Sequence, residues 1–165
     1  MGMIQPMLME LENEAVATRR MLERVPTDKL SWKPHEKARS LGQLAVHIAE
    51  TQGRVTSMLQ GNSHEVSMRP EDVPSTSAEI VSMFDEGTAA AKKMLGAMSD
   101  EDLMSNWSLL RDGKPIFNMP KAAVVRMIVL NHVYHHRGQL STYLRELNVA
   151  LPSVYGPTAD ENPFG

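Results

Sequence analysis

Four stretches of this chain repeat their apolar residues at steps of three and four, and proline-bearing connectors lie between them. That pattern constrains the fold more than any other feature. The first stretch runs from Ile4 to Val25, where Ile4, Leu8, Leu11, Ala15, Thr18 and Leu22 share one helix face and Pro26 ends it. The second begins at Ser40, with Gln43 three residues on in a capping-box pattern. Leu41, Leu44, Ile48, Val55 and Met58 form its stripe, and Gly61 is a plausible stop. The third opens at Thr76 with Glu79, again a capping box. It carries Ile80, Met83, Phe84, Gly87, Ala90, Ala91 and Met94 before fading near Gly96. The fourth and longest spans about Pro120 to Leu147, with Pro120 suited to the first helical position. Four amphipathic helices of roughly 20 residues predict an all-α, four-helix bundle. At 165 residues the expected organisation is one domain over 1–165.

The connectors carry their own signals. Thr27–Arg39 reads as irregular, with Trp32 tucked into the core, and Asn62–Ser75 reads as a loop punctuated by Pro70 and Pro74. Ser99 to Asp102 reads as one acidic helical turn. Asn106–Leu110 and Lys114–Asn118 flank Arg111-Asp112-Gly113, a hairpin signal, with Pro115 confining it to a sheet edge. A short β-hairpin-like insertion is therefore expected before the last helix. Asn148–Gly165, with Pro152, Pro157 and Pro163, reads as an irregular tail packed over the body.

Composition removes several function classes. The chain has no cysteine, so disulfides, thiolate metal ligands and a cysteine nucleophile are excluded. The longest stretch free of Asp, Glu, Lys and Arg, Leu147–Ala159, holds two prolines, and a spanning helix needs about 20 mostly apolar residues. No membrane segment and no signal peptide are expected, and the expected location is the cytoplasm. Seventeen basic against twenty acidic residues, with no basic block, argue against a nucleic-acid partner. Phosphate loops, serine elbows and dinucleotide fingerprints are absent from the sequence. Glu10, Glu12 and Glu14 read as a solvated face, because alternate spacing scatters side chains around a helix.

The histidines are more informative. His35 and His64 fall in connectors and are expected to be solvated. On the fourth helix, Val125, Val129, His132, His136, Leu140, Tyr143 and Leu147 form one stripe, so His132 and His136 lie one turn apart on the inward face. His135 falls on the shoulder, and His47 borders the stripe of the second helix. Imidazoles in an apolar core need partners. A divalent metal satisfies them, and i, i+4 histidines can share one ion. Hydroxyls or carbonyls can also satisfy core histidines, and spacing does not decide between the two readings.

The run Asn131-His132-Val133-Tyr134-His135-His136-Arg137-Gly138-Gln139-Leu140, followed by Tyr143-Leu144, resembles the signature of the DinB-like (DinB/YfiT) family. Ser31-Trp32-Lys33-Pro34 and Leu41-Gly42-Gln43-Leu44 leading to His47 are similar to an earlier block of that family. Leu151-Pro152 and Tyr155-Gly156-Pro157-Thr158-Ala159-Asp160-Glu161 resemble its tail. The resemblance implies a four-helix bundle with a divalent metal held by His47, His132 and His136, with His135 outside the ligand set, and often a homodimer. Zinc is the favoured ion, with nickel, copper and iron compatible with three imidazoles. Family relatives include thiol transferases that use external low-molecular-weight thiols such as bacillithiol, and a mycothiol-dependent isomerase. The expectation is thus a metal-dependent enzyme of thiol-S-transferase type acting on a small-molecule substrate. A metal-dependent hydrolase, or a non-catalytic metal-binding stress or ligand-carrier protein, are the alternatives. Arg137, Gln139 and Tyr143 lie near the ligands, with packing expected for Tyr143.

Overall fold

The computed structural model describes residues 2–67 and 70–165. Helix α1 (Ile4–Leu22) is followed by a single 3-10 turn at Thr27–Lys29 and an irregular connector to α2 (Leu41–Met58). A short strand β1 (Ser63–Glu65) precedes α3 (Ser77–Gly96), and α4 (Asp100–Met104) leads into β2 (Asn106–Arg111) and β3 (Lys114–Pro120). The last helical rod is continuous in three parts: α5 (Lys121–Val124), a π-helical segment (Val125–Asn131) and α6 (His132–Glu146). The molecule is mostly helical, with a small three-stranded sheet. No helix among the described residues is long and apolar enough to cross a membrane.

Local chemistry explains most boundaries. Ser40 and Thr76 close reciprocal caps with Gln43 and Glu79, and Ser99 does the same with Asp102, so three helix starts satisfy their free N–H groups. Asp112 and Gly113 both have positive φ, 53° and 71°, which makes the two-residue turn between Arg111 and Lys114 type I′. β3 lies at the sheet edge, where Pro115 costs no ladder bond, and a bulge between Leu109 and Leu110 absorbs the irregularity. Pro120 caps α5 and does not occupy its first turn.

The sheet corrects the all-α expectation. Asn62–Ser75 is not all loop, because Ser63–Glu65 pairs in parallel with Ser108–Leu110 and Val66 N–H donates to the Leu110 carbonyl at 2.8 Å. His64 accordingly lies half-buried in a short strand, between the exposed Ser63 and Glu65, and not in a solvated loop. Trp32 is half-buried, edge-on to Tyr143 at 5.6 Å, and the fully enclosed indole is Trp107, whose Nε1–H reaches the Met58 carbonyl at 3.0 Å.

α2 packs most extensively on α3, α1 lies against α3 and α6, and α6 also lies against α2. Two apolar clusters fill the interior. One gathers Leu22, Leu41, Leu44, Ile48, Phe84, Val133 and Leu140; the other gathers Leu11, Leu59, Leu95, Leu103, Trp107, Val125 and Leu130. Thr18, Thr51, Gln52, Thr88 and Arg137 are buried polar side chains within the core. Thr88 Oγ1 donates to Gln52 Oε1 there at 2.8 Å. At the α2–α3 crossing the two backbones nearly touch: a Cβ built on Gly53 would lie 2.9 Å from Gly87 Cα. The tail beyond α6 is irregular, as expected, and is clamped by Arg20 to Glu161 and by Arg145 to Asp160.

Candidate metal centre

α2 contributes His47, and His132 and His136 occupy the first two turns of α6, directly after the π-helical segment. The three imidazoles face one another edge-on, with centroids 4.4, 4.6 and 5.2 Å apart. His132 Nε2 lies 2.9 Å from His47 Nε2 and 3.0 Å from His136 Nε2. One nitrogen from each residue lies within 4.8 Å of the others, so the group could hold a metal ion. Ligand nitrogens at about 2.0–2.1 Å from a shared tetrahedral ion are themselves about 3.3 Å apart, a little wider than these separations.

The rings are oriented from behind. His136 Nδ1–H donates to Gln139 Oε1 at 2.7 Å, and His47 Nδ1 is 3.3 Å from Glu71 Oε1. With Nδ1 holding the hydrogen, Nε2 presents its lone pair to the common point. Glu71 is fixed in turn by Arg39 Nε at 3.1 Å. Burial works to raise the Glu71 carboxyl, but the charge and hydrogen bond of Arg39, a backbone hydrogen bond and the charge of His47 together hold the group below the usual range. Burial, followed by the positive field of Arg39, lowers His47 to about 4. Burial and the neighbouring His136 lower His132 to about 4, and burial lowers His136 as well. All three are neutral at neutral pH, the form that binds metal. Lone pairs of neutral imidazoles at 2.9–3.0 Å repel, so the arrangement calls for a cation or a proton between them.

Other residues singled out in the sequence fall elsewhere. His35 is exposed; His135 is exposed too, its ring 4.9 Å from that of His136. The buried residues of α6 are Val133, His136, Arg137, Leu140 and Leu144, so His136 and Leu140 of the expected inward stripe are enclosed while His132 lies half-buried at its margin. Arg137 is 3% exposed. It pairs with Glu14 at 2.7 Å, donates to Tyr155 Oη at 2.6 Å and to Thr18 Oγ1 at 3.0 Å, and lies over the rings of Tyr134 and Tyr155.

Glu10 and Glu14, one turn apart on α1, therefore face α6 and do not belong to a solvated face. Glu10 binds Arg126 at 2.6 Å and accepts from Tyr134 Oη at 2.9 Å. Only Glu12 looks outward, toward Lys92 at 2.8 Å. Tyr143 packs on Trp32, as its position predicted. Arg39, Arg54 and Glu71 escaped sequence reading, because connector residues and a lone arginine on a helix carry no periodic signal.

Fold and site together describe a mostly helical protein that brings three histidines from two helices to one point. The chain belongs to the DinB family, whose sequence profile matches residues 3–162. It is 27% identical over 154 residues to the uncharacterized protein YrdA of Bacillus subtilis, covering 91% of this chain and 86% of YrdA. A DinB-like protein from Bacillus cereus superposes with a TM-score of 0.75 at 24% identity, over 90% of this chain and 95% of its own. A second DinB-like protein, from Bacillus subtilis, gives 0.70 at 17% identity, over 91% and 97%. These two likenesses bear on the fold alone.

Proposed function

We propose that His47, His132 and His136 hold one divalent metal ion, and that this chain is a metal-dependent enzyme of thiol-S-transferase type working with an external low-molecular-weight thiol. The convergence of three Nε2 atoms, two of them oriented by partners on Nδ1, carries the reading. Three protein ligands leave coordination positions for a substrate, as catalytic sites do. A bound divalent ion supplies Lewis-acid chemistry, lowering the pKa of a thiol that reaches it. The chain's own residues do the rest. Gln139 and Glu71 hold the rings in register. Arg39 and Arg54, whose charges both act on His132, make the surroundings positive and favour a substrate bearing carboxylates. With no cysteine in the chain, any thiol must come from outside.

The reading extends to a single-domain, cytoplasmic four-helix bundle that works as a homodimer, with zinc as the favoured ion and nickel or iron as competitors. The test begins with elemental analysis of untagged protein. Metal-loaded protein is then offered a bacillithiol-type thiol and an electrophile. Conjugation that needs both thiol and metal, and is lost in His132→Ala, is the expected result. Turnover unchanged in His132→Ala overturns the metal mechanism. Turnover that persists without any thiol assigns the protein to metal-dependent hydrolysis.

A further inference from the structure

The opposite end of the last rod holds a lysine that the histidine site does not use. Lys121 is the first residue of α5 and is 5% exposed. Lysines are rarely this buried without a partner, and a cation at a helix N-terminus opposes the helix dipole. Its backbone N–H donates to the Ser105 carbonyl at 3.0 Å, but its ammonium makes no hydrogen bond or ion pair among the described residues. Asp102 is the acidic group near enough to feel its charge. One oxygen of that carboxylate, Oδ2, is committed to capping α4, accepting from Ser99 N–H at 3.0 Å and Ser99 Oγ at 2.8 Å.

Lys121 lines a cleft of about 540 Å³ between the ends of α2 and α3, α4 and the start of the rod. Leu59, Ala90, Met94, Ala97 and Met98 give it apolar walls, Thr56 and Gln60 are polar, and Lys93 with Lys121 outnumbers the one carboxylate, Asp102. Methionine thioethers adapt readily to ligands of varied shape. Along the rod, Lys121 lies about 16 Å from His132, so the cleft is separate from the histidine site.

We propose that this cleft is a binding site for a small monocarboxylate with an apolar tail, its carboxylate on the Lys121 ammonium and its tail between Met94 and Met98. The inference stands whether or not the histidines bind metal. A charge-assisted hydrogen bond in a partly apolar cleft discriminates against a neutral analogue by about tenfold or more.

Methionine-methyl NMR of the full chain, titrated with octanoate and separately with octan-1-ol, tests it. Octanoate is expected to shift the Met94 and Met98 methyls saturably while leaving exposed Met9 in place, and octan-1-ol to bind at least about tenfold more weakly. Lys121→Met keeps the apolar stem, removes the charge and should bring octanoate down to the alcohol's affinity. Ala97→Trp, at an exposed helix end, should block the cleft without touching the core. No saturable shift, equal binding of acid and alcohol, or octanoate binding unchanged in either variant would overturn the proposal.

Discussion

Replacing Gly53 by alanine tests the α2–α3 contact in a way that ordinary helix propensity cannot mimic. Glycine inside a helix normally weakens it, and alanine would return about 1 kcal/mol. At Gly53, however, the new Cβ would lie 2.9 Å from Gly87 Cα and 3.1 Å from Gly87 O. Both are backbone atoms, so no side chain can swing aside and the helices must part by several tenths of an ångström. Overpacking of this kind costs roughly 1–3 kcal/mol, and a clash between two backbones belongs at the upper end. The net expectation is a loss of about 1–2 kcal/mol, which for a chain of this size lowers Tm by roughly 2–8 °C.

Gly138 is the control. It sits in α6, exposed, and a Cβ there meets nothing within 4 Å, so Gly138→Ala should gain about 0.5–1 kcal/mol. Urea unfolding of both variants, with m-values compared to the parent, reads the difference. His47 lies on α2 fewer than two turns from Gly53, so the first variant should also weaken metal binding. A Gly53→Ala protein as stable as the parent, or stabilised like Gly138→Ala, refutes the close-contact argument.

Three further outcomes follow from the same structure. Arg137→Met leaves Glu14 without its buried partner and is expected to cost about 3–5 kcal/mol in urea unfolding; pairing it with Glu14→Gln should recover part of that loss. Gln139→Ala frees the His136 ring and should weaken metal affinity by about 10–100-fold by calorimetry, with unfolding little changed. The metal-free protein should lose stability in acid earlier than its carboxylates require. His47 and His132 titrate near 4 when folded, against about 6.5 in the unfolded chain. Between those values the unfolded state binds more protons, so their contribution is complete above about pH 6.5 and declines as pH falls toward 4. Stability flat across that window would contradict the burial of these rings.

Features written in local spacing were legible in the sequence: the caps at Ser40 and Thr76, the Asp112-Gly113 turn, and the i, i+4 pair His132 and His136. Features that depend on distant partners were not. β1 is three residues long and exists because Ser108–Leu110 offers it an edge, which no periodicity within 62–75 could announce. Glu71 reaches His47 from the same unpatterned connector. Arg137 lies beside the ligands in sequence, but its role shows only once Glu14, Thr18 and Tyr155 surround it. His47 was placed only at the border of a stripe by its own helix, and family resemblance brought it into the set.

The π-helical segment Val125–Asn131 divides the last rod between the Lys121 end and the histidine end. An α-helix that accepts one surplus residue without breaking takes this form locally. Deleting a single residue there would let the rod close into uninterrupted α-helix and turn one end by about 100° against the other. Either His132 and His136 would then swing away from His47, or Lys121 would leave its cleft. The length of the rod between Lys121 and His132 therefore indexes its two ends to each other, so one deletion too small to unfold the protein would sacrifice one end to keep the other.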